Sequence, residues 1–461
     1  MFGLVLDFEL SNKPKYIQLY EAIKSEIESG RLSKNEKLPS VRQLIGLLGV
    51  SKATVENAYQ QLMVEGYIES RNKSGYYVGD FEFGLMTQKA YSPNPNPPKA
   101  SRPKRFNTDD AEESAFQFGE WKKAVNRVLE YETKSLLSYG EVQGESALRH
   151  EIAQFVHQSR GVKCAPDQIV IGAGIQYLFS MIAICFRNTT QKMAFEYPGF
   201  TKGMFVFEDL GYEMARIPVE KDGINVTALE DSGAKMVYVS PSHQYPTGSI
   251  MTIKKRLQLL EWARKNDGLI IEDDYDSLLR YEGYPVPALQ GLGEGAHVIY
   301  MGSFSKLLMP ALRISFMILP KQLMERFAVL LPRYSQSVSK IDQLALAHYM
   351  AEGAFERHIR RIKKIYGRKN QLLVEAFKTI PHPGIALVGS SSGLHVTLSF
   401  DARIDLKGVT YECAELGIVL ESVAGEQLGR YVVFSYSGIP DHEMEMVVEK
   451  LVRVTQRHWH P

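Results

Sequence analysis

The stretch "GSFSKLLMPALRISF", residues 302–316, brings Lys306 to the end of an apolar run, "HVIYMG" at 297–302, whose composition reads as a buried strand. Ser303 and Ser305 precede the lysine, and Arg313 follows seven residues on. A lysine alone at such a place is as readily a structural ion-pair partner. Two hydroxyls and a guanidinium beside it change the reading, because short donors and a planar fork make a cradle for an anion such as phosphate. A lysine desolvated next to a bound phosphate also meets the requirement for a Schiff base to an aldehyde cofactor.

Pyridoxal phosphate carries both that aldehyde and that phosphate, and it makes a demand elsewhere in the chain. Its pyridine nitrogen needs a carboxylate partner if the ring is to act as an electron sink. The run "GLIIEDDYDSLLRY" at 268–281 offers one at the end of a second strand. An acidic cluster also suits a loop or a metal site. No histidine or cysteine stands nearby, however, and Tyr275 is a poor ligand for common metals, so no metal is expected. Asp273 is expected to face the ring nitrogen and Tyr275 the phenolic oxygen. "IVIGAGIQYLFSM" (169–181) reads as strand, glycine turn and helix, with the amides of Ile175 and Gln176 opening a helix N-terminus for the phosphate. "FEYPGFTKG" (195–203) sets Phe200 just past a strand, where an aromatic ring can stack on a cofactor.

Around these motifs the chain falls into three zones. Its 461 residues, 44% hydrophobic, exceed one ordinary domain. From about residue 105, strand-length runs such as "DQIVIG", "KMVYVS" and "ISFMIL" alternate with helical periods. That is the pattern of β-α-β units in a mostly parallel sheet covered on both faces. Residues 81–104 include "SPNPNPPKASRPK", a proline-rich segment without periodicity that reads as an extended linker. The net charge of +1 creates no global field for nucleic acid or membrane. Three cysteines, none in a C-x-x-C pair, suit a reducing cytoplasm and argue against a disulfide framework or a zinc site. The N-terminal residues lack the pattern of a signal peptide, and the densest apolar window, "LFSMIAICF", is too short to cross a bilayer.

Residues 1–80 show short helical periods. Tyr16, Leu19, Tyr20, Ile23 and Ile27 form one stripe, ended by Gly30. In "LPSVRQLIGLLG" (38–49), Ser40 and Gln43 have capping-box spacing ahead of Leu44 and Ile45. "VSKATVENAYQQLMVEGY" (50–67) restarts with Ser51 as cap and buries Val55, Ala58, Tyr59, Leu62 and Met63. Two short helices about a tight turn make a helix-turn-helix, and "YIESRNKSGYYVG" adds a two-stranded wing. Charge alone does not declare a nucleic-acid partner: residues 31–79 carry seven Lys or Arg against four Asp or Glu. Placement does. Arg42, Ser51, Lys52 and Thr54 fall at helix starts, off the apolar stripes, where a recognition helix meets base edges and phosphates, and Lys73 and Gly75 stand at the wing tip.

These residues carry three nested resemblances. "LPSVRQLIGLLGVSKATVENAYQQLMVEGYI" resembles the winged helix of GntR-type bacterial regulators. From about residue 105 onward the chain resembles fold-type I pyridoxal-phosphate enzymes of the aminotransferase family, with "SFSK" followed by arginine as the most specific element. That resemblance implies Lys306 as the Schiff-base lysine and Ser303, Ser305 and Arg313 as phosphate ligands. It also implies Asp273 on the ring nitrogen, Tyr275 on the phenolic oxygen, Phe200 stacked on the ring, and Tyr139 reaching the partner subunit's phosphate. The combination of winged helix, linker and aminotransferase-like domain resembles the MocR family of transcription regulators. The family implies a domain at 1–80 that binds operator double-stranded DNA and a domain at 105–461 that binds pyridoxal phosphate, dimerises and senses a small-molecule effector: an amino acid, an amine or the cofactor itself. It implies a homodimer, and allows a domain-swapped one in which each winged helix docks on the other chain.

Two positions depart from the aminotransferase pattern. Tyr245, in "SHQYPTGS", replaces the asparagine that bonds the phenolic oxygen, with His243 and Gln244 as polar neighbours. In "GRYVVFSYS", Tyr431 replaces the arginine that binds a substrate carboxylate, and Arg430 stands one residue earlier, on the opposite face of a strand unless a bulge redirects it toward the effector. A true aminotransferase with an appended DNA-binding domain is the alternative reading, and a cofactor-free scaffold the third. The departures count against the second and the intact cradle against the third. The basic run "ERHIRRIKKIYGRK" (356–369) carries a buried stripe of Ile359, Ile362 and Tyr366 and reads as a solvated helix face rather than a DNA patch.

Overall fold

The computed structural model describes residue 8 and residues 13–80, 115–281, 286–293, 295–389, 392–423 and 430–460. The expected linker at 81–104 lies outside them. The chain divides into two units, residues 1–100 and 101–461.

In the first unit, α1 (Lys15–Glu28), α2 (Val41–Leu48) and α3 (Lys52–Val64) precede an antiparallel pair, β1 (Ile68–Arg71) and β2 (Gly75–Val78). The capping box forms as its spacing requires: the Gln43 amide donates to Ser40 Oγ at 3.3 Å, and the Ser40 amide donates to Gln43 Oε1 at 2.8 Å. Gly49 ends α2 in the left-handed region at φ 64°, and the chain restarts two residues later. Leu19, Ile23, Leu44, Val55, Ala58, Tyr59 and Leu62 close the core, whereas Tyr16, in the first turn of α1, remains exposed. Tyr59 Oη donates to the Pro39 carbonyl at 2.7 Å and its ring meets Tyr76 edge-on, so one residue ties α3 to the entry of α2 and to the wing.

The second unit holds an eight-stranded sheet. Its strands are β3 (Ile169–Gly172), β4 (Lys192–Tyr197), β5 (Glu213–Glu220), β6 (Gly223–Ile224), β7 (Met236–Val239), β8 (Leu269–Asp274), β9 (Val298–Ser303) and β10 (Ser315–Ile318). The order across the sheet is β3-β10-β9-β8-β7-β4-β5-β6. β5, β4, β7, β8 and β9 pair in parallel, while β10 runs antiparallel between β9 and β3. The run "ISFMIL" is therefore an exception among the apolar runs read as parallel strands. Alternate residues bury on opposite faces: Ile299 and Met301 pack with helices 175–186 and 201–209, whereas Tyr300 packs with helices 146–160 and 340–351. A smaller antiparallel sheet follows, β11 (Ile385–Val388), β12 (His395–Phe400), β13 (Leu420–Ser422) and β14 (Tyr431–Ser435), in the order β11-β12-β14-β13.

Candidate functional site

Parallel strands place their carboxyl ends on one edge of a sheet, and ligands of open α/β sheets sit outside that edge. Here the ends of β3, β4, β7, β8 and β9 deliver Gly174, Phe200, His243, Asp273 and Lys306. Because β10 runs the other way, its start lies at the same edge and brings Arg313 with it.

Strand parity separates the acidic triplet on β8. Glu272 and Asp274 share one face. Glu272 accepts from the backbone amides of Leu289 and Gln290 at 2.7 and 2.8 Å, and Asp274 pairs with buried Arg160 at 2.6 Å and accepts from Tyr300 Oη. Asp273 faces the other way, where Tyr238 Oη donates to its Oδ2 at 2.7 Å. Its Oδ1 is buried without a partner. Burial pushes the Asp273 carboxyl up to about 7, against the opposing effects of the Tyr238 hydrogen bond and the Lys306 charge. That oxygen remains open to a hydrogen-bond partner.

The phosphate side is organised around Gly174 and Arg313. Gly174, at φ 94°, precedes the helix Ile175–Phe186, whose first amides, those of Ile175 and Gln176 included, have no acceptor within the helix. A Cβ on Gly174 would collide with the Arg313 guanidinium, so only glycine lets the fork reach this helix start. Ser303 Oγ accepts from the Ser305 amide at 3.3 Å and from Ser315 Oγ at 3.0 Å, while Ser305 Oγ is buried and unpartnered. Donor set, glycine approach and unpartnered hydroxyl together fit a phosphate. Lys306 Nζ lies 4.9 Å from the centre of the Tyr275 ring. Phe200 lies tilted against Phe179 and Tyr238 at centroid distances of 6.3 and 6.2 Å.

The loop after β7 carries a residue whose aim the sequence left open. His243 Nδ1 lies 2.8 Å from both oxygens of buried Asp276, so it donates to that carboxylate, and Tyr275 Oη is 3.1 Å away. Gln244 is committed to its own loop and to the loop after β4. Its amide donates to the carbonyls of Pro198 and Tyr245, and its oxygen accepts from Thr247. It is thus spoken for as a substitute for the absent asparagine. Gln176 also turns aside, its side chain donating to the Lys202 carbonyl at 3.1 Å. Tyr139 is fully exposed on this chain.

Arg430 requires a correction. Its guanidinium donates to the backbone carbonyls of Asp401, Ala402 and Ile404. The arginine braces the turn at 401–404, and its donors are spent on those carbonyls.

In the first unit, Arg42 and Lys52 are exposed in the first turns of α2 and α3. Ser51 Oγ caps α3, accepting from the Thr54 amide at 3.2 Å. The Lys52 ammonium lies 3.3 Å from Glu56, a solvent-exposed pair of small worth that a phosphate can displace. Lys73, at φ 56°, forms the exposed wing tip beside Gly75 at φ 114°.

Residues 107–451 match the family Aminotransferase class I and II, and residues 15–78 match Bacterial regulatory proteins, gntR family. A probable rhizopine catabolism regulatory protein MocR of Rhizobium meliloti is 32% identical, covering 87% of this chain and 85% of the relative. The chain belongs to the MocR family of GntR-type transcriptional regulators. An uncharacterized HTH-type transcriptional regulator of Bacillus subtilis, YhdI, is 37% identical and covers 96% of both chains. For the large domain, the multiple-substrate aminotransferase of Thermococcus profundus superposes with a TM-score of 0.70 at 23% identity, covering 78% of this chain and 93% of that one, a likeness of fold alone. The family fold is that of pyridoxal-phosphate enzymes. Among the described residues of this MocR-family chain, no cluster of His, Cys, Asp or Glu could hold a metal, and no helix is long and apolar enough to cross a membrane.

The raised Asp273 carboxyl has a testable consequence for the cofactor-free protein. Unfolded, the group ionises near pH 4; folded, it keeps its proton up to about pH 7. Between those values unfolding releases up to one proton from it, so its stabilising contribution is full at low pH and is lost as pH rises toward 7. Glu272, pushed to about 7 by burial, and Glu196, to about 8, act in the same direction. Unfolding free energy measured from pH 4 to 8 should therefore fall less steeply in Asp273→Asn than in wild type. Identical slopes would contradict the assignment.

Proposed function

We propose that this chain is an operator-binding regulator that carries pyridoxal phosphate on Lys306 and responds to a primary amine or amino acid, or to the cofactor itself. The observation that carries the reading is the unpaired Oδ1 of Asp273, buried at the edge of the sheet that also presents Lys306. Ser303, Ser305, Arg313 and the amides of Ile175 and Gln176 are the phosphate ligands in this reading. Asp273 takes the ring nitrogen, Tyr275 the phenolic oxygen and Phe200 one ring face. Tyr139, fully exposed on one chain, serves the partner's site in a homodimer. When bound, pyridoxal phosphate supplies an aldehyde that condenses with primary amines and a ring that withdraws electrons from what is attached.

Residues 1–80 act as the DNA-binding domain, with Arg42, Ser51, Lys52 and Thr54 at helix starts and Lys73 and Gly75 on the wing. Residues 105–461 act as the effector and dimerisation domain, working in the cytoplasm where the operator is. Lys306 would tether the cofactor, and the chemistry the cofactor supplies would let a primary amine displace that lysine. A ligand shifts an equilibrium only by its differential affinity for the two states, and the freed lysine supplies such a difference. Sensing is favoured over turnover because Tyr431 stands where a substrate-carboxylate arginine is needed and Arg430 is bonded elsewhere.

Borohydride reduction of the loaded protein should fix cofactor to the peptide containing Lys306, and Lys306→Ala should lose that label. Label on another lysine in wild type would refute the attachment site.

Operator binding should weaken in Lys52→Ala and Arg42→Ala. A base contact by Lys52 predicts a loss of roughly 1–3 kcal/mol confined to one operator position. A phosphate contact predicts a uniform loss and a shallower salt dependence. Unchanged affinity in both variants would remove the recognition-helix assignment.

A further inference from the structure

Two of the unpartnered buried atoms beside Lys306, Asp273 Oδ1 and Ser305 Oγ, match groups of pyridoxal phosphate. A third, Nε2 of His395, matches none of them. His395 opens β12 and is 6% exposed. Its ring stacks on His243 at a centroid distance of 5.9 Å and meets Tyr245 edge-on at 5.7 Å. His243 stacks in turn on Tyr275 at 5.8 Å, the ring over which Lys306 Nζ stands. The imidazole thus belongs to the aromatic wall of the lysine's pocket, contributed by the small sheet.

Its placement is fixed by backbone contacts. The Gly393 carbonyl accepts from Tyr281 Oη and Tyr436 Oη, both at 2.6 Å, and the Gly393 amide donates to the Leu279 carbonyl at 3.0 Å. Thr397 Oγ1 donates to the Pro246 carbonyl, clamping β12 to the loop that carries Tyr245. A Cβ on Gly393 would stand 2.8 Å from His243 Cε1 and 2.6 Å from Asp276 Oδ2, so the strand approaches as closely as a glycine allows. Burial, the Lys306 charge and His243 push the His395 imidazole well below its usual range, leaving a neutral ring. Nothing in this arrangement satisfies Nε2, and a buried polar atom without a partner is costly unless a ligand completes it.

We propose that His395 Nε2 is a specificity contact for the effector, hydrogen-bonded to an oxygen on the primary amine that enters beside Lys306. This rests on the cofactor reading above and adds a ligand class to it: amines bearing a hydroxyl or carboxylate oxygen, amino alcohols or amino acids. The contact replaces an arginine grip. Tyr431 occupies the arginine's place, and the Arg430 fork is spent on loop carbonyls.

The test titrates pyridoxal-phosphate-loaded, full-length protein with L-alaninol, L-alanine and isopropylamine, following the visible spectrum and operator affinity. Wild type, His395→Phe and His395→Gln are compared. Wild type should prefer at least one oxygen-bearing amine over isopropylamine. That preference, taken as a ratio within each protein so that general loosening cancels, should fall about tenfold in His395→Phe, the worth of one buried hydrogen bond. His395→Gln, which keeps a side-chain donor and acceptor, should restore part of it. Alaninol losing more than alanine assigns the contact to a hydroxyl, and the reverse to a carboxylate. A loaded wild type indifferent to the oxygen, or a preference undiminished in His395→Phe, overturns this inference and leaves the cofactor reading standing. A wild type that takes up no pyridoxal phosphate fails the cofactor reading itself, in a step that precedes the amines.

Discussion

The hydrogen bond from Tyr238 to Asp273 fixes what the rest of the site can be. It occupies one carboxylate oxygen and leaves the other buried and open. Burial pushes the Asp273 carboxyl up to about 7, and a cationic N–H donor at the open oxygen would bring it down. Everything else at this edge depends on the same strand geometry. Period-two alternation turns Glu272 and Asp274 away to brace helices and Arg160, and reserves Asp273 for the pocket. The antiparallel insertion of β10 adds Arg313 to an edge otherwise made of strand ends, and Gly174 lets the guanidinium through.

The departures from an aminotransferase are concentrated where substrate, rather than cofactor, is gripped. The cofactor side keeps its lysine, carboxylate, hydroxyls and arginine. On the substrate side, Tyr431 and Tyr245 replace an arginine and an asparagine, and a buried His243–Asp276 pair takes up space beside Tyr275. In the proposed reading, a site with the lysine but without a carboxylate fork suits reporting an amine more than turning one over.

Much of this was legible in the sequence because the decisive groups are close along the chain. Lys306, its serines and Arg313 lie within residues 303–313, and Asp273 stands at the end of an apolar strand, so residue types and spacing suffice. The capping box and the glycine stops of the winged helix, Gly30 and Gly49, are local in the same way. What escaped depends on distant pairing. Tyr238, inside "KMVYVS", looks like any core aromatic, and its partner is 35 residues on. His395 lies in the apolar run of a strand whose neighbours are set by docking of the small sheet, which no local pattern encodes. Apolar runs carry no direction, so the antiparallel course of β10 was equally hidden. The carbonyl partners of Arg430 at 401–404 were hidden in the same way, 26 to 29 residues away along the chain.

The central claim is that the chemistry at Lys306 governs DNA binding. The most direct measurement is the operator dissociation constant of full-length wild type and Lys306→Ala, each titrated first with pyridoxal phosphate and then with an amine. Wild type should shift by a coupling of roughly 1–3 kcal/mol, about 5- to 150-fold, and the variant should lose that response. A response of equal size in Lys306→Ala, or an operator affinity in wild type that ignores both ligands, would contradict the account.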